Sequence, residues 1–197
     1  MPGHGNEPSG SDPCDAGGAV VQRRAGGGVV RAGQPPRGAF PGAGARAAGA
    51  VAAPGEVEWV GQNLKFDWVV LDGVDSAPEG RVIDTMVAAY LLDAGQKLNM
   101  EALSLTYLNY RPIPIETLIG PAKGAGKGKG NEQKTMAEVP PDQVRDYACE
   151  DADVTLRLAE ALLPKLEQDG LSGVAREVDF PLVPVLGRME RHGVRID

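Results

Sequence analysis

The sequence predicts an α/β fold, largely helical, in the part of the chain that follows residue 55. Three observations carry this. Val57-Glu58-Trp59-Val60-Gly61 alternates like a short strand. Arg81-Val82-Ile83 is a second strand-like piece, and each of the two runs into a segment with helical apolar spacing. The longest periodic stretch, Asp142 to Gln168, reads as one amphipathic helix.

Residues 1–55 stand outside that fold. They hold 14 of the 27 Gly, 7 of the 16 Pro and 12 Ala, so residue types that build no core fill 33 of 55 positions. From Ala16 to Gly55 there is no acid and no Lys, and Arg, Gly, Ala and Pro recur without strand or helix periodicity. The expectation is a disordered, low-complexity head. A plain linker seldom discards Lys, Asp, Glu and Thr together in favour of residues with GC-rich codons, which points to out-of-frame or mis-started translation. The remaining 142 residues carry 15 Lys and Arg against 24 Asp and Glu, a net of −9, while the head is +2. That sign argues against coating nucleic acid by bulk charge. Two cysteines, Cys14 and Cys149, make neither a disulfide framework nor a cysteine zinc site, so a reducing, cytoplasmic setting is expected. No apolar run approaches the ~20 residues that span a bilayer, and no signal peptide is legible, so no membrane partner is expected.

Each element then follows in order. Asn63 sits at a helix N-cap, and the helix runs from about Leu64 to Leu71 with Leu64, Trp68 and Leu71 inward and Asp67 on or beside that face. The next helix, Asp84 to Leu92, presents Met86, Val87, Tyr90 and Leu91 on one side. Asn99 to Tyr107 is another, with Met100, Leu103 and Tyr107 in register. Gly120 to Gly130 has five Gly and three Lys and reads as a solvated basic loop, with contact to a DNA backbone as the alternative. It is not a phosphate-cradling loop, since Gly126-Lys127 is followed by Gly128 and no strand precedes it. Pro140 and Pro141 suit a first helical turn, and Gly170 ends the long helix, whose inward stripe is Val144, Tyr147, Ala148, Asp151, Thr155, Leu158 and Leu162. Arg176 to Asp197 is amphipathic through Val178, Leu182, Val185, Leu186 and Met189, despite Pro181 and Pro184.

An ionised aspartate on an apolar stripe costs several kcal/mol to bury unless something pairs with it. Asp151, with Tyr147 one turn before it, is such a residue, and Asp67 is another on a different helix. Two carboxylates converging from separate helices repel each other unless a divalent cation lies between them. The alternative is a plain charged surface formed by Glu150-Asp151-Ala152-Asp153.

The wording of these segments resembles a known family. Gln62-Asn63-Leu64-Lys65-Phe66-Asp67 and Tyr147-Ala148-Cys149-Glu150-Asp151-Ala152-Asp153-Val154-Thr155-Leu156 are similar to the second and third motifs of the 3′-5′ proofreading exonuclease domain of bacterial family A DNA polymerases. Asp84-Thr85-Met86, Asn99 to Leu103, Glu116 to Gly120 and Lys127-Gly128-Lys129 come between them in the family's order. Phe180 to Leu186 and Met189 to Asp197 resemble its passage into the polymerase domain. The resemblance covers about residues 56 to 197. It implies a ribonuclease H-like fold of the DEDD exonuclease class, removing nucleotides from a single-stranded DNA 3′ end by two-metal hydrolysis with Mg²⁺, or Mn²⁺ in its place. It implies further that Asp151 ligates the metal on the nucleophile side and that Asp67 holds the second, one ion generating the attacking hydroxide and the other stabilising the leaving oxygen. Tyr147 then orients the attacking water, Gln62 and Asn63 line the terminal nucleotide, and Lys97 contacts phosphate.

One departure matters. The family's first motif, Asp-x-Glu on the central strand, is absent, since no Asp is followed two residues later by Glu before Glu56. The expected organisation is a head over 1–55, a partial exonuclease domain over 56–175 lacking its central strands, and a connecting helix over 176–197 at the start of a polymerase domain. The expected activity is weak or nil in this chain, and the alternative is a catalytically dead module that buttresses a polymerase.

Overall fold

The computed structural model describes residues 21–24, 29–30, 57–73, 77, 79–121, 134–193 and 195. Strands β1 (Val21–Arg24), β2 (Val29–Val30), β3 (Val57–Gly61) and β4 (Arg81–Asp84) form one sheet in the order β2-β1-β3-β4. β3 and β4 are parallel, with Val60 opposite Ile83 and Gly61 opposite Asp84, whereas β1 runs antiparallel to β2 and β3. The helices are α1 (Leu64–Asp72), α2 (Thr85–Leu92), α3 (Met100–Leu108), α4 (Glu116–Ile119), α5 (Pro141–Gln168) and α6 (Phe180–His192). A short turn Ser172–Val174 and a π-helical turn Ala175–Asp179 lead into α6.

The fold is thus α/β and mainly helical, as the sequence predicts. β1 and β2 fall where no regular structure is expected. Their signal is the pair of Val-Val steps, Val20-Val21 and Val29-Val30, on either side of Gly26-Gly27-Gly28 in the sequence. Strand β1 is the neighbour of β3, and its residues Val21-Gln22-Arg23-Arg24 include no carboxylate. Beyond Gly120 and Pro121, the basic loop lies outside the described residues.

The core sits between the sheet and α5. Val60, Ile83, Leu64, Leu103, Val154, Leu158, Leu162 and Leu166 are almost wholly buried, each contributing roughly 1.5–3 kcal/mol by leaving water. α2 and α3 pack on α5, and α1 packs on α6, which also touches β4. The long helix begins at Pro141, one residue earlier than expected, and ends before Gly170, whose φ is 70°. Its stripe is buried from Ala152 onward, while Val144, Tyr147, Ala148 and Asp151 sit half-buried at its rim.

Two faces differ from expectation. In α2 the buried side is Thr85, Ala88 and Ala89, and Tyr90 is exposed, because the two small alanines let the helix lie close against α5. In α6 the buried residues are Phe180, Val183 and Gly187, and the expected inward stripe of Val178, Leu182, Val185, Leu186 and Met189 faces outward. Trp68 contributes to this choice, since its ring fills the space over Gly187 and leaves no room for a larger residue there. Among the described residues no helix is long and apolar enough to cross a membrane.

Candidate functional site

In open sheets with parallel strands, ligands bind beyond the carboxyl ends of those strands. Here those ends are Gly61 and Asp84, and the residues that follow them carry the candidate chemistry. Gly61 is required by space, since a Cβ there would lie 2.6 Å from Cδ1 of Leu64. The chain then turns through Gln62 and Asn63 into α1. Asn63 adopts the left-handed conformation, φ 57° and ψ 45°, which asparagine tolerates better than most residues. It occupies the cap position as expected, yet its side chain caps nothing.

The cap is Asp84, which the sequence places at the start of the next helix without a role in the site. Its carboxylate is 1% exposed and accepts from the amides of Asn63 at 3.1 Å, Leu64 at 2.8 Å, Met86 at 2.9 Å and Val87 at 3.4 Å. One side chain therefore closes the N-termini of both α1 and α2. Burial pushes the Asp84 carboxyl upward, and the amide bonds oppose that shift. The hydroxyl of Thr85, also fully buried, donates within reach of the Gly61 carbonyl at 3.1 Å and Oε1 of Gln62 at 2.5 Å. Nε2 of Gln62 in turn donates to the Leu98 carbonyl at 2.8 Å. Gln62 is thus pinned at both ends of its amide, and Lys97, exposed, stands next to the residue that holds it. The legible signal for Asp84 is an Asp that ends a strand and precedes a helix.

Asp67 lies one turn into α1, half-buried, its carboxyl pushed up to about 6, mainly by desolvation and then by the charge of Asp84. Asp151, on α5, is likewise half-buried and pushed up to about 6, chiefly by desolvation. The Tyr147 hydroxyl and the Asp151 carboxylate act on each other: the phenol holds back the rise of that carboxyl, while burial and the nearby carboxylate push the phenol up to about 12. The neighbouring Glu150 faces another way. It accepts from the Tyr110 hydroxyl at 2.5 Å and the Ile113 amide at 2.6 Å, tying residues 110–113 to α5.

The structure brings together Gln62, Asn63 and Asp67 with Asp84 at one helix start, and Tyr147 with Asp151 on α5. Among the described residues no basic side chain forms a salt bridge with Asp67 or Asp151. A desolvated carboxyl without a cationic partner is a hard oxygen donor of the kind that divalent cations take. In kind, then, these donors fit such an ion. In number they are few, since among the described residues no three of His, Cys, Asp and Glu form a group that could hold a metal.

Comparison with known proteins shows the family to which the chain belongs. Residues 46–167 match a family described as 3′-5′ exonuclease. The match begins ahead of Glu56 and takes in α1 and nearly all of α5, but not α6. The chain is 40% identical over 141 residues to DNA polymerase I of Rhizobium leguminosarum, covering 70% of this chain and 13% of that protein. It is 40% identical over 142 residues to DNA polymerase I of Pseudomonas aeruginosa, covering 70% and 15%. With DNA polymerase I of Borreliella burgdorferi it shares 31% over 138 residues, covering 70% and 14%. The chain therefore spans only about 13 to 15% of the length of these curated relatives.

Proposed function

Because this chain belongs to the 3′-5′ exonuclease family, we propose that it is the 3′-5′ exonuclease domain of a DNA polymerase I, built to hydrolyse nucleotides from single-stranded DNA 3′ ends during proofreading. The observation that carries the proposal is the pair of half-buried carboxyls, Asp67 and Asp151, each raised to about 6 with no cationic partner among the described residues. In this reading the two face one cleft and hold Mg²⁺, or Mn²⁺ in its place. Such ions would supply Lewis-acid charge to the scissile phosphate.

The rest is done by the chain's own side chains. Tyr147, one turn before Asp151 on the same helix, orients the attacking water with its hydroxyl. Gln62, fixed by Thr85 and the Leu98 carbonyl, and Asn63, at the head of α1, line the terminal nucleotide. Lys97 contacts a phosphate from the turn beside Leu98. The fold reading is ribonuclease H-like, with residues 56–175 as a partial exonuclease domain, 1–55 as a low-complexity or mis-translated head and 176–197 as the connection to a polymerase domain.

A second reading has a specific observation in its favour. The absent Asp-x-Glu motif and the lack of a third metal-binding group among the described residues support a module with little or no activity of its own. One experiment separates the two. The chain, and the chain joined to an upstream segment bearing an Asp-x-Glu strand, are incubated with 5′-labelled single-stranded DNA and Mg²⁺. The chain alone should trim weakly or not at all and should not polymerise. The joined protein should trim, Asp151→Ala should abolish trimming, and Tyr147→Phe should reduce it by a smaller factor. Equal trimming by Asp151→Ala would remove the metal assignment, and no trimming by the joined protein would favour the inactive module.

A further inference from the structure

Helix α6 lies outside the matched family span, yet it is the element on which the Asp67 helix rests. The contact is centred on Trp68, which follows Asp67 directly and is 5% exposed. Opposite it, Gly187 is buried, and a Cβ added there would lie 2.5 Å from Cε3 of the indole, with Cζ3 and Cδ2 at 3.1 and 3.2 Å. Around this seat both ends of α1 are tied to the last turn of α6. Lys65 pairs with Glu190, and Asp72 pairs with Arg191 at 3.1 Å. The Arg188 guanidinium lies 5.8 Å from the centre of a Trp68 ring. Both ion pairs are well exposed and weak, so the close packing of indole on glycine dominates the placement.

From this geometry we infer that Gly187 is a positioning residue for Asp67: the gap it leaves for Trp68 sets how deeply α1 seats on α6, and with it the place of the Asp67 carboxyl. The inference rests on the metal-binding reading of Asp67. Asp67 is flanked on its helix by Lys65 and Trp68, both anchored to α6, so a shift of the indole is carried directly into the carboxyl. The backbone at Gly187 is ordinary helix, without a positive φ. Alanine there gains helix propensity, and the three atoms nearest to its Cβ all belong to the indole. A purely local role for Gly187 therefore costs stability through the clash with the indole and leaves Mn²⁺ affinity unchanged, and a positioning role adds a loss of affinity at a site held on another helix.

The test uses the full chain and Mn²⁺ alone as probe, titrated by electron paramagnetic resonance. Gly187→Ala should weaken Mn²⁺ binding several-fold while far-UV circular dichroism is unchanged. In a Trp59→Phe background the emission of Trp68 should shift. Adding Trp68→Phe to Gly187→Ala removes the benzo ring atoms that clash and should restore most of the lost affinity. Should Gly187→Ala fail to fold, Trp68→Phe alone empties the same seat and should weaken Mn²⁺ binding by itself. Asp67→Asn separates the two levels of the reasoning. If Asp67→Asn weakens binding and the seat variants do not, the positioning role is overturned while the metal reading stands. If Asp67→Asn binds Mn²⁺ like the wild type, the metal reading fails and the inference falls with it.

Discussion

Asp84→Asn is the substitution whose cost follows most directly from the distances. An ionised carboxylate only accepts hydrogen bonds, and both Asp84 oxygens are used. One takes the amides of Asn63, Met86 and Val87, and the other takes the Leu64 amide at 2.8 Å. Asparagine keeps one such oxygen. If it occupies the more heavily used position, its NH₂ group faces the Leu64 N–H, donor against donor, in a place with no access to water. A buried amide left without an acceptor costs about 1–3 kcal/mol, offset in part because asparagine does not carry the charge whose burial raises the Asp84 carboxyl. The net is a destabilisation of about 1–2 kcal/mol, a fall in Tm on the order of 2–8 °C for a chain of this size. Thermal unfolding followed by circular dichroism reads the loss, and hydrogen exchange should localise it, with faster exchange at Leu64 and Met86. A change below about 0.5 kcal/mol would mean that Asp84 does not close the two helices, and the positions argued for Gln62 and Asn63 would lose their support.

Other substitutions test separate links. Asp67, raised to about 6 against an ordinary 3.8, favours folding most at low pH, and that contribution is lost as pH rises through 6. Asp67→Asn, which resembles the protonated form, should therefore match the wild type near pH 4 and exceed it near pH 7.5. After allowance for solvent screening the gain is on the order of 1 kcal/mol, and equal melting curves at pH 7.5 would deny the desolvation. Thr85→Val removes the hydroxyl between Gly61 and Gln62 and should cost about 1 kcal/mol, with a shifted Gln62 side-chain amide signal by nuclear magnetic resonance; an unmoved signal would show that Thr85 does not hold it. Glu150→Ala should speed exchange of the Ile113 amide and cost about 1–2 kcal/mol in urea denaturation, and unchanged exchange would release residues 110–113 from α5.

The strongly periodic parts of the sequence were the readable ones. The strand Val57–Gly61, the helix after it and the long helix ended by Gly170 follow from local pattern, because in each the apolar spacing matches the period of the element it forms. The outward turn of Val178, Leu182, Val185, Leu186 and Met189 was not readable. An apolar stripe marks a sticky face, but which face is covered depends on a partner elsewhere in the chain, here the indole of Trp68 seeking a glycine. Tyr90 fails for a similar reason, since the alanines opposite it offered closer packing than a large ring. At the site, Tyr147 and Asp151 are legible from their one-turn spacing on a single helix. Asp84 escapes because its partners are backbone amides of two elements, and amides carry no residue type. Val21–Arg24 and Val29–Val30 escape because Gly and Ala swamp the composition around two Val-Val steps.

The convergence of Asp67 and Asp151 on a shared cation is open to direct measurement. Mn²⁺ is titrated into isotope-labelled protein, and paramagnetic broadening is followed at the backbone amides of residues 67 and 151. Both amides should broaden together, with one midpoint in the millimolar range expected for an incomplete carboxylate set, and either Asp67→Asn or Asp151→Asn should move the midpoint for both. Broadening with two unrelated midpoints, or at neither position, would contradict a common metal site and with it the proposed hydrolytic chemistry.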